Sequence, residues 1–402
     1  MFDEIATWVT KAGLVGRSDN EVMAGFCRRV ASAGIPLARA LVILDTLHPI
    51  YEGRVFRWRA DLPNDAEAVD YGRTNEGEAA ENWRRSPFFH LLNTGGEVLR
   101  RRLCDGDPSD FVAIEQARDE GMTDYLALVQ RFADEGVIGE MDCVYSSWVT
   151  NAADGFDDSA AVAIKRLAPF LKLAIKSASL VRMAGTLVET YLGRDPGRRV
   201  MSGRILRGVA EKIGAVLWYS DLHGYTHISD TVQPEQIIPL LNDYADVVVS
   251  AVHGQGGDVL KLVGDGTLAI FAGDDRRTCC LAALAAAMQV REDATQLNHR
   301  RAEQDLPTSE VYLALHVGDV FYGNVGSKDR LDFTVIGPAV NEVSRILAMS
   351  RSVERDVLLS ADFVGALDAA TRARVVSVGR YALRGVAQPQ ELFTPEPGFI
   401  LP

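Results

Sequence analysis

The chain has 402 residues, with 55 acidic against 42 basic side chains (formal charge −13) and a 47% apolar share, so a disordered polyelectrolyte is excluded. At roughly 100–200 residues per domain, two or three domains are expected, and the acidic balance argues against a dedicated nucleic-acid binder without excluding a nucleotide at one local site. No run of about 18 apolar residues occurs, Asp3, Glu4 and Lys11 stand where a signal peptide needs apolar residues, and the five cysteines lack CxxC spacing; no membrane span and a reducing, cytoplasmic setting are expected.

Residues 1–158 alternate helical and strand-like stretches, as in one α/β domain. Ser18 opens a capped helix running to residue 33, 40–47 and 55–59 are strands, and 142–149 is an aromatic-rich strand before a turn-rich stretch at 151–158. From 159 to 192 the pattern is helical, with Ile164, Leu167, Leu171, Ala174, Ala178 and Val181 at spacings of three and four. A packed amphipathic helix and a short dimer seam both fit that spacing, and Pro169 interrupts its start. Gly193-Arg194-Asp195-Pro196-Gly197 is a cluster of breakers expected to end the helix in a linker. The resulting division is 1–158, a helical, coiled-coil-like linker at 159–209, and a second domain at 210–397.

In the second domain, 215–220 reads as a strand, 234–253 as a helix, and 259–263 and 267–271 as strands joined by the turn Gly264-Asp265-Gly266. An Ala-rich helix at 278–301 follows, then strands at 311–317 and 320–325 paired through a Gly318-Asp319 turn, a strand at 332–336, and a helix at 339–349 opened by Gly337-Pro338. The order β-α-β-β-α-β is ferredoxin-like, placing the chain in the α+β class.

Three segments carry chemistry. Asp221 stands at a strand exit, ahead of Leu222, His223, Gly224, Tyr225 and Thr226. Such a carboxylate can hold a divalent metal while the loop's N–H groups face phosphate oxygens, or serve simply as a turn or cap residue. Asp265, at the hairpin tip, meets Asp221 if the hairpin lies beside the first strand. Paired carboxylates repel unless a cation sits between them, and Mg²⁺ is the usual choice where phosphates complete its shell. Lys261, inside an apolar strand, needs an acceptor such as a purine ring nitrogen, or else snorkels from an edge strand. Asn341 and Arg345, four residues apart, share one helical face. That pairing suits a sugar oxygen and a phosphoryl group gaining charge, with a solvated face as the plain alternative.

Together these segments resemble the catalytic domain of class III nucleotidyl cyclases, from residue 210 to about 397. The first motif appears as Tyr219-Ser220-Asp221-Leu222-His223-Gly224-Tyr225-Thr226, the second as Gly264-Asp265 with Lys261 upstream, and the third intact from Thr334 to Arg345. The resemblance implies that Asp221, Asp265 and the Leu222 backbone carbonyl bind two Mg²⁺ or Mn²⁺ ions per site. It implies that His223, Gly224, Tyr225 and Thr226 contact substrate, that Lys261 and Thr334 read adenine, that Asn341 orients the ribose and that Arg345 stabilises the pentacoordinate phosphorus. A Lys and a Thr match adenine's ring acceptor and amino donor, whereas guanylyl relatives carry Glu and Cys or similar. The implied activity is an adenylate cyclase working on ATP as a head-to-tail homodimer with two composite sites. A triphosphate-binding lysine of some relatives is absent from Leu383-Arg384-Gly385-Val386, where Arg384 is the substitute. The alternative is a catalytically silent nucleotide-binding or dimerisation module; a diguanylate cyclase is not indicated, since no GG[DE]EF-type sequence occurs.

The closing part of the first domain, from Ser146 to Asp158 and the helix after it, resembles a GAF-like sensory domain. This implies regulation by an unknown small-molecule or protein input. Residues 47–49 with Phe56, Trp58, Phe88, Phe89 and His90 are candidates to line a pocket, or are ordinary core aromatics and surface histidines.

Overall fold

A computed structural model describes residues 2–62, 66–132, 142–386 and 388–399, in two compact units, Met1–Leu187 and Val188–Pro402. The unit boundary falls inside the stretch 159–209 read as a linker.

In the first unit, α1 (Phe2–Leu14) and α2 (Asp19–Ser32) precede three strands, β1 (Arg39–Asp45), β2 (Gly53–Arg59) and β3 (Ala66–Tyr71). Then follow α3 (Gly77–Arg84), α4 (Pro87–Thr94), β4 (Val98–Arg101), α5 (Val112–Asp119), β5 (Asp124–Arg131), β6 (Cys143–Thr150) and α6 (Asp158–Leu192). Ser18 caps α2 as expected: its hydroxyl accepts the Glu21 N–H, and the Glu21 carboxylate accepts the Ser18 N–H at 3.0 Å. The six strands form one antiparallel sheet in the order β3-β2-β1-β6-β5-β4.

Alternation along the strands sends Val42, Phe56, Trp58, Leu126 and Trp148 into a core with α1, α2 and α6. Leu41, Tyr125, Ala127, Tyr145 and Val149 face the other way, toward α4 and α5. Phe56 and Trp58 therefore lie on the opposite face from Phe88, and the pocket expected from all of these aromatics does not form. Phe56 and Trp58 are core residues of one layer and Phe88 of the other, while Phe89 is half-buried and Leu47 and His90 are exposed. Of the seam positions on α6, Ile164, Leu167, Leu171 and Ala174 are buried in the unit's own core, while Val181 is exposed. The helix runs through Pro169 without ending.

The second unit opens with α7 (Arg194–Met201), where breakers were expected to leave a linker. Gly193, at φ 92°, supplies the turn between helices, and Pro196 falls in the first turn of α7, where a missing N–H breaks no helical bond. Asp195 fastens the helix by accepting from the Tyr322 hydroxyl at 2.8 Å and from Arg199 at 2.6 Å.

The remaining elements are β7 (Ala210–Leu222), α8 (Tyr225–Thr231), α9 (Pro234–Gly254), β8 (Asp258–Val263), β9 (Gly266–Phe271) and α10 (Arg276–Ala302). After them come β10 (Val311–Gly326), β11 (Leu331–Ile336), α11 (Pro338–Val353), β12 (Val357–Ser360), α12 (Ala361–Ala366), α13 (Ala369–Arg372), β13 (Val375–Tyr381) and β14 (Gln390–Pro395). The sheet runs β13-β14-β12-β10-β7-β9-β8, with β11 paired to β10. One face, through Val216 and Trp218, packs on α9 and α10; the other, through Ala215 and Leu217, packs on α11.

Gly318-Asp319 is not a turn. Both residues lie inside the single strand β10, paired with Ala215 and Gly214 of β7. Gly318 is small for a packing reason: a Cβ there would come within 2.4 Å of the Ala339 Cβ, at the start of α11. Asp319 pairs with Lys212 at 2.7 Å across the ladder.

Candidate active site

Asp221 occupies the penultimate position of β7, opposite Tyr312 of β10. Asp265 forms the tip of the β8–β9 hairpin, where Gly264 adopts φ 65° to close the turn. The hairpin approaches β7 so closely that a Cβ on Gly266 would sit 3.0 Å from the Ser220 carbonyl oxygen. The Leu222 N–H faces the Asp265 carboxylate at 3.3 Å, so the residues expected to bind metal form one cluster.

Burial, a hydrogen bond to Asp265 and the negative charge of Asp265 together push the Asp221 carboxyl up to about 7, opposed by the Leu222 N–H and Arg351. A carboxylate pair that retains a proton so strongly is a site with unmet demand for positive charge. No group of three or more His, Cys, Asp or Glu side chains gathers among the described residues, so phosphate or water oxygens would have to complete a cation's shell. The residues fit a divalent cation on those terms. Beside the pair lies a cavity of about 200 Å³, walled by Ile238, Leu241 and Asn242 of α9.

After Leu222 the chain turns at Gly224 (φ 72°) into α8, carrying Tyr225 and Thr226. The His223 ring stacks on Tyr312 with centroids 4.7 Å apart, and the His223 backbone N–H donates to the Glu310 carbonyl at 2.8 Å.

Lys261 projects from β8 just after an irregularity in its ladder with β9, and its ammonium forms an ion pair with Asp332 of β11. Thr334, buried and two residues further along β11, shares a strand face with Asp332. Asp332 carries no role in the reading of the sequence alone, although it stands two residues ahead of the third motif. Its strand-face relation to Thr334 was the available signal.

Asn341 and Arg345 lie on α11, and the Arg345 guanidinium sits close to the Arg384-Gly385 turn, with a Cβ on Gly385 reaching within 3.3 Å of it. Arg384 itself is exposed. A buried polar relay seats this helix. The Ser360 hydroxyl accepts the Phe363 N–H at 3.1 Å and contacts His316 Nδ1 at 2.9 Å, while His316 Nε2 faces Glu342 at 3.4 Å. That pattern suits a neutral His316 with its proton on Nε2, and burial lowers the affinity of this imidazole for a second proton. His316, Gly318 and Glu342 are positioning residues that sequence spacing did not reveal, because each acts through a neighbour distant in the chain.

Residues 210–394 match the model of the adenylate and guanylate cyclase catalytic domain. An uncharacterized protein of Mycobacterium tuberculosis is 34% identical over 214 residues, covering 52% of this chain and 38% of the relative. An adenylate cyclase of Anabaena cylindrica is 34% identical over 161 residues, covering 39% of this chain and 31% of the relative. This chain thus spans well under half the length of the curated relatives it matches. The crystal structure of the adenylyl cyclase CyaB from P. aeruginosa aligns with a TM-score of 0.43 at 23% identity, over 46% of this chain and 94% of that one. No helix among the described residues is long and apolar enough to cross a membrane. With its paired aspartates, its Lys261 strand and its Thr334-to-Arg345 motif in one α+β unit, the C-terminal part of this chain is the part that the adenylate and guanylate cyclase catalytic-domain family matches.

Proposed function

We propose that the C-terminal unit converts ATP to 3′,5′-cyclic AMP and pyrophosphate, within a homodimer whose two composite sites each draw on both protomers. The observation that carries this reading is the meeting of Asp221 at the exit of β7 with Asp265 at the hairpin tip, where burial and the neighbouring carboxylate push the Asp221 carboxyl up to about 7. Asp221, Asp265 and the Leu222 carbonyl would hold two Mg²⁺ or Mn²⁺ ions, which when bound lower the pKa of the ribose 3′-hydroxyl and neutralise triphosphate charge.

The chain's own residues supply positioning. Lys261 donates to the adenine ring nitrogen and Thr334 accepts from the amino group, a pattern that guanine, with a ring N–H and a carbonyl, does not match. Asn341 orients the ribose so that its 3′-hydroxyl lies in line with the α-phosphorus. Arg345 meets the negative charge that grows on the phosphoryl oxygens as the bond to pyrophosphate breaks. Arg384, beside Gly385, and the backbone of His223 to Thr226 contact the polyphosphate. The N-terminal unit regulates this activity in response to an input.

The test is product analysis after incubating the protein with ATP or GTP and Mg²⁺ or Mn²⁺. Cyclic AMP formed from ATP is expected, with little cyclic GMP from GTP. Asp221→Ala and Arg345→Ala should each be inactive alone. Mixed in equal amounts, they should recover about a quarter of wild-type activity, because half the dimers are mixed and each holds one intact site. No recovery on mixing would rule out composite sites, and no cyclic product under any condition, with Met1–Leu187 present or removed, would leave a silent module.

A further inference from the structure

The N-terminal unit holds a groove of about 540 Å³ between α5 and the sheet face opposite α1, α2 and α6. Its apolar floor is formed by Leu41 and Val149, and Ala117 of α5 is small enough to leave the space open. Two nearly buried residues with hydroxyls, Ser147 and Tyr125, also line it.

Three guanidinium groups border the same groove, from Arg39 of β1 and from Arg57 and Arg59 of β2. The sheet register sets Arg39 directly opposite Arg59, with Arg57 opposite Leu41. Like charges directly opposite across a ladder repel, and here they gather on one face of a chain whose net charge is −13. Two of the three are well partnered. Arg39 forms an ion pair with Glu120 just beyond α5, and Arg59 makes two bonds to Asp61 at 2.9 and 2.8 Å. Arg57 instead approaches Glu67 at 3.7 Å, beyond hydrogen-bond length. Arg57 thus makes an ion pair but no hydrogen bond with Glu67, which with Glu120 also lines the groove, and its planar fork of donors stands at the rim beside two further guanidinium groups.

We propose that this groove binds a small organic anion, with its apolar body over Leu41 and Val149 and its carboxylate, sulfonate or phosphate group in the fork of Arg57. The assignment concerns the N-terminal unit alone and stands apart from the cyclisation reading.

A fluorescence titration of the full chain with 8-anilinonaphthalene-1-sulfonate, alongside the uncharged N-phenyl-1-naphthylamine, tests it. One saturable site is expected, holding the sulfonate about tenfold or more tighter than the neutral dye. Arg57→Gln should bring the sulfonate down to the level of the neutral dye and leave the neutral dye unchanged. Ala117→Trp, which fills the groove, should remove both. Equal binding of the two dyes, no saturable binding, or sulfonate binding unaffected by Arg57→Gln would overturn the proposal. Should Ala117→Trp lose its helical circular dichroism, Arg57→Gln decides alone, since it alters a half-exposed side chain on a strand that stays paired.

Discussion

Lys261 and Asp332 form an ion pair between β8, the outermost strand of the catalytic sheet, and β11, which is carried by β10 three places away in the sheet order. The β10–β11 hairpin therefore curls back across the sheet, and the ammonium expected to read the base is held by a carboxylate from the strand that also carries Thr334. Asp332→Asn keeps the side chain's shape and removes its charge. It should raise KM for ATP about tenfold with a smaller change in kcat, because it loosens the group that meets the base and not those that meet the phosphorus. Lys261→Glu should lower ATP use further. Steady-state kinetics on both variants, with ATP and GTP in parallel, check this; unchanged ATP turnover in Lys261→Glu would remove Lys261 from base reading.

The Asp221–Asp265 pair sets function against stability. In metal-free protein the two carboxylates repel, so Asp265→Asn should raise the melting temperature while lowering cyclase turnover about a hundredfold or more. Mg²⁺ should raise the melting temperature of the wild type and leave the variant nearly unchanged, since a ligand stabilises only the state that binds it. Thermal melts with Mg²⁺ and with a chelator measure both effects.

Gly318 lets α11 pass close against β10. Gly318→Ala forces a methyl group against Ala339, within 2.4 Å of its Cβ, at the N-terminal end of the helix bearing Asn341 and Arg345. A loss of about 1–3 kcal/mol of stability is expected from such overpacking. Turnover should fall with it while nucleotide affinity at Lys261 changes less, which denaturant titration and kinetics together can resolve.

Lys172, on α6, is buried in the N-terminal core, with its ammonium 3.5 Å from the Leu128 carbonyl oxygen. Burial pushes its pKa down to about 8. The unfolded chain then binds more protons than the folded one between about pH 8 and the usual lysine value near 10.4, so this group makes stability rise with pH across that window. Below it the buried charge is a full burden. Lys172→Met should accordingly stabilise the N-terminal unit by about 1–3 kcal/mol at pH 7, with the gain shrinking toward pH 10. Urea titrations at several pH values, followed by tryptophan fluorescence, report it.

The elements with strong local signals were legible in the residues themselves. Ser18 with Glu21 specifies a capping box by chemistry confined to one turn, and Gly264-Asp265-Gly266 specifies a tight hairpin because glycine accepts the required φ. The catalytic candidates were legible for a similar reason. Asp221, Asp265, Asn341 and Arg345 stand in short motifs whose spacing already implies a strand exit, a turn tip and one helical face.

Where the same residue type serves two purposes, local signals failed. Gly318 looks like a turn residue, but it lies mid-strand because α11 passes too close for a side chain; Pro196 looks like a helix breaker, but it sits where a first turn tolerates it. The pairing of Lys261 with Asp332, the seat of α11 on His316 and Glu342, and the cluster of Arg39, Arg57 and Arg59 were settled by tertiary structure alone. Each joins groups from different strands or helices, whose meeting depends on sheet order, register and packing rather than on any local run of residues.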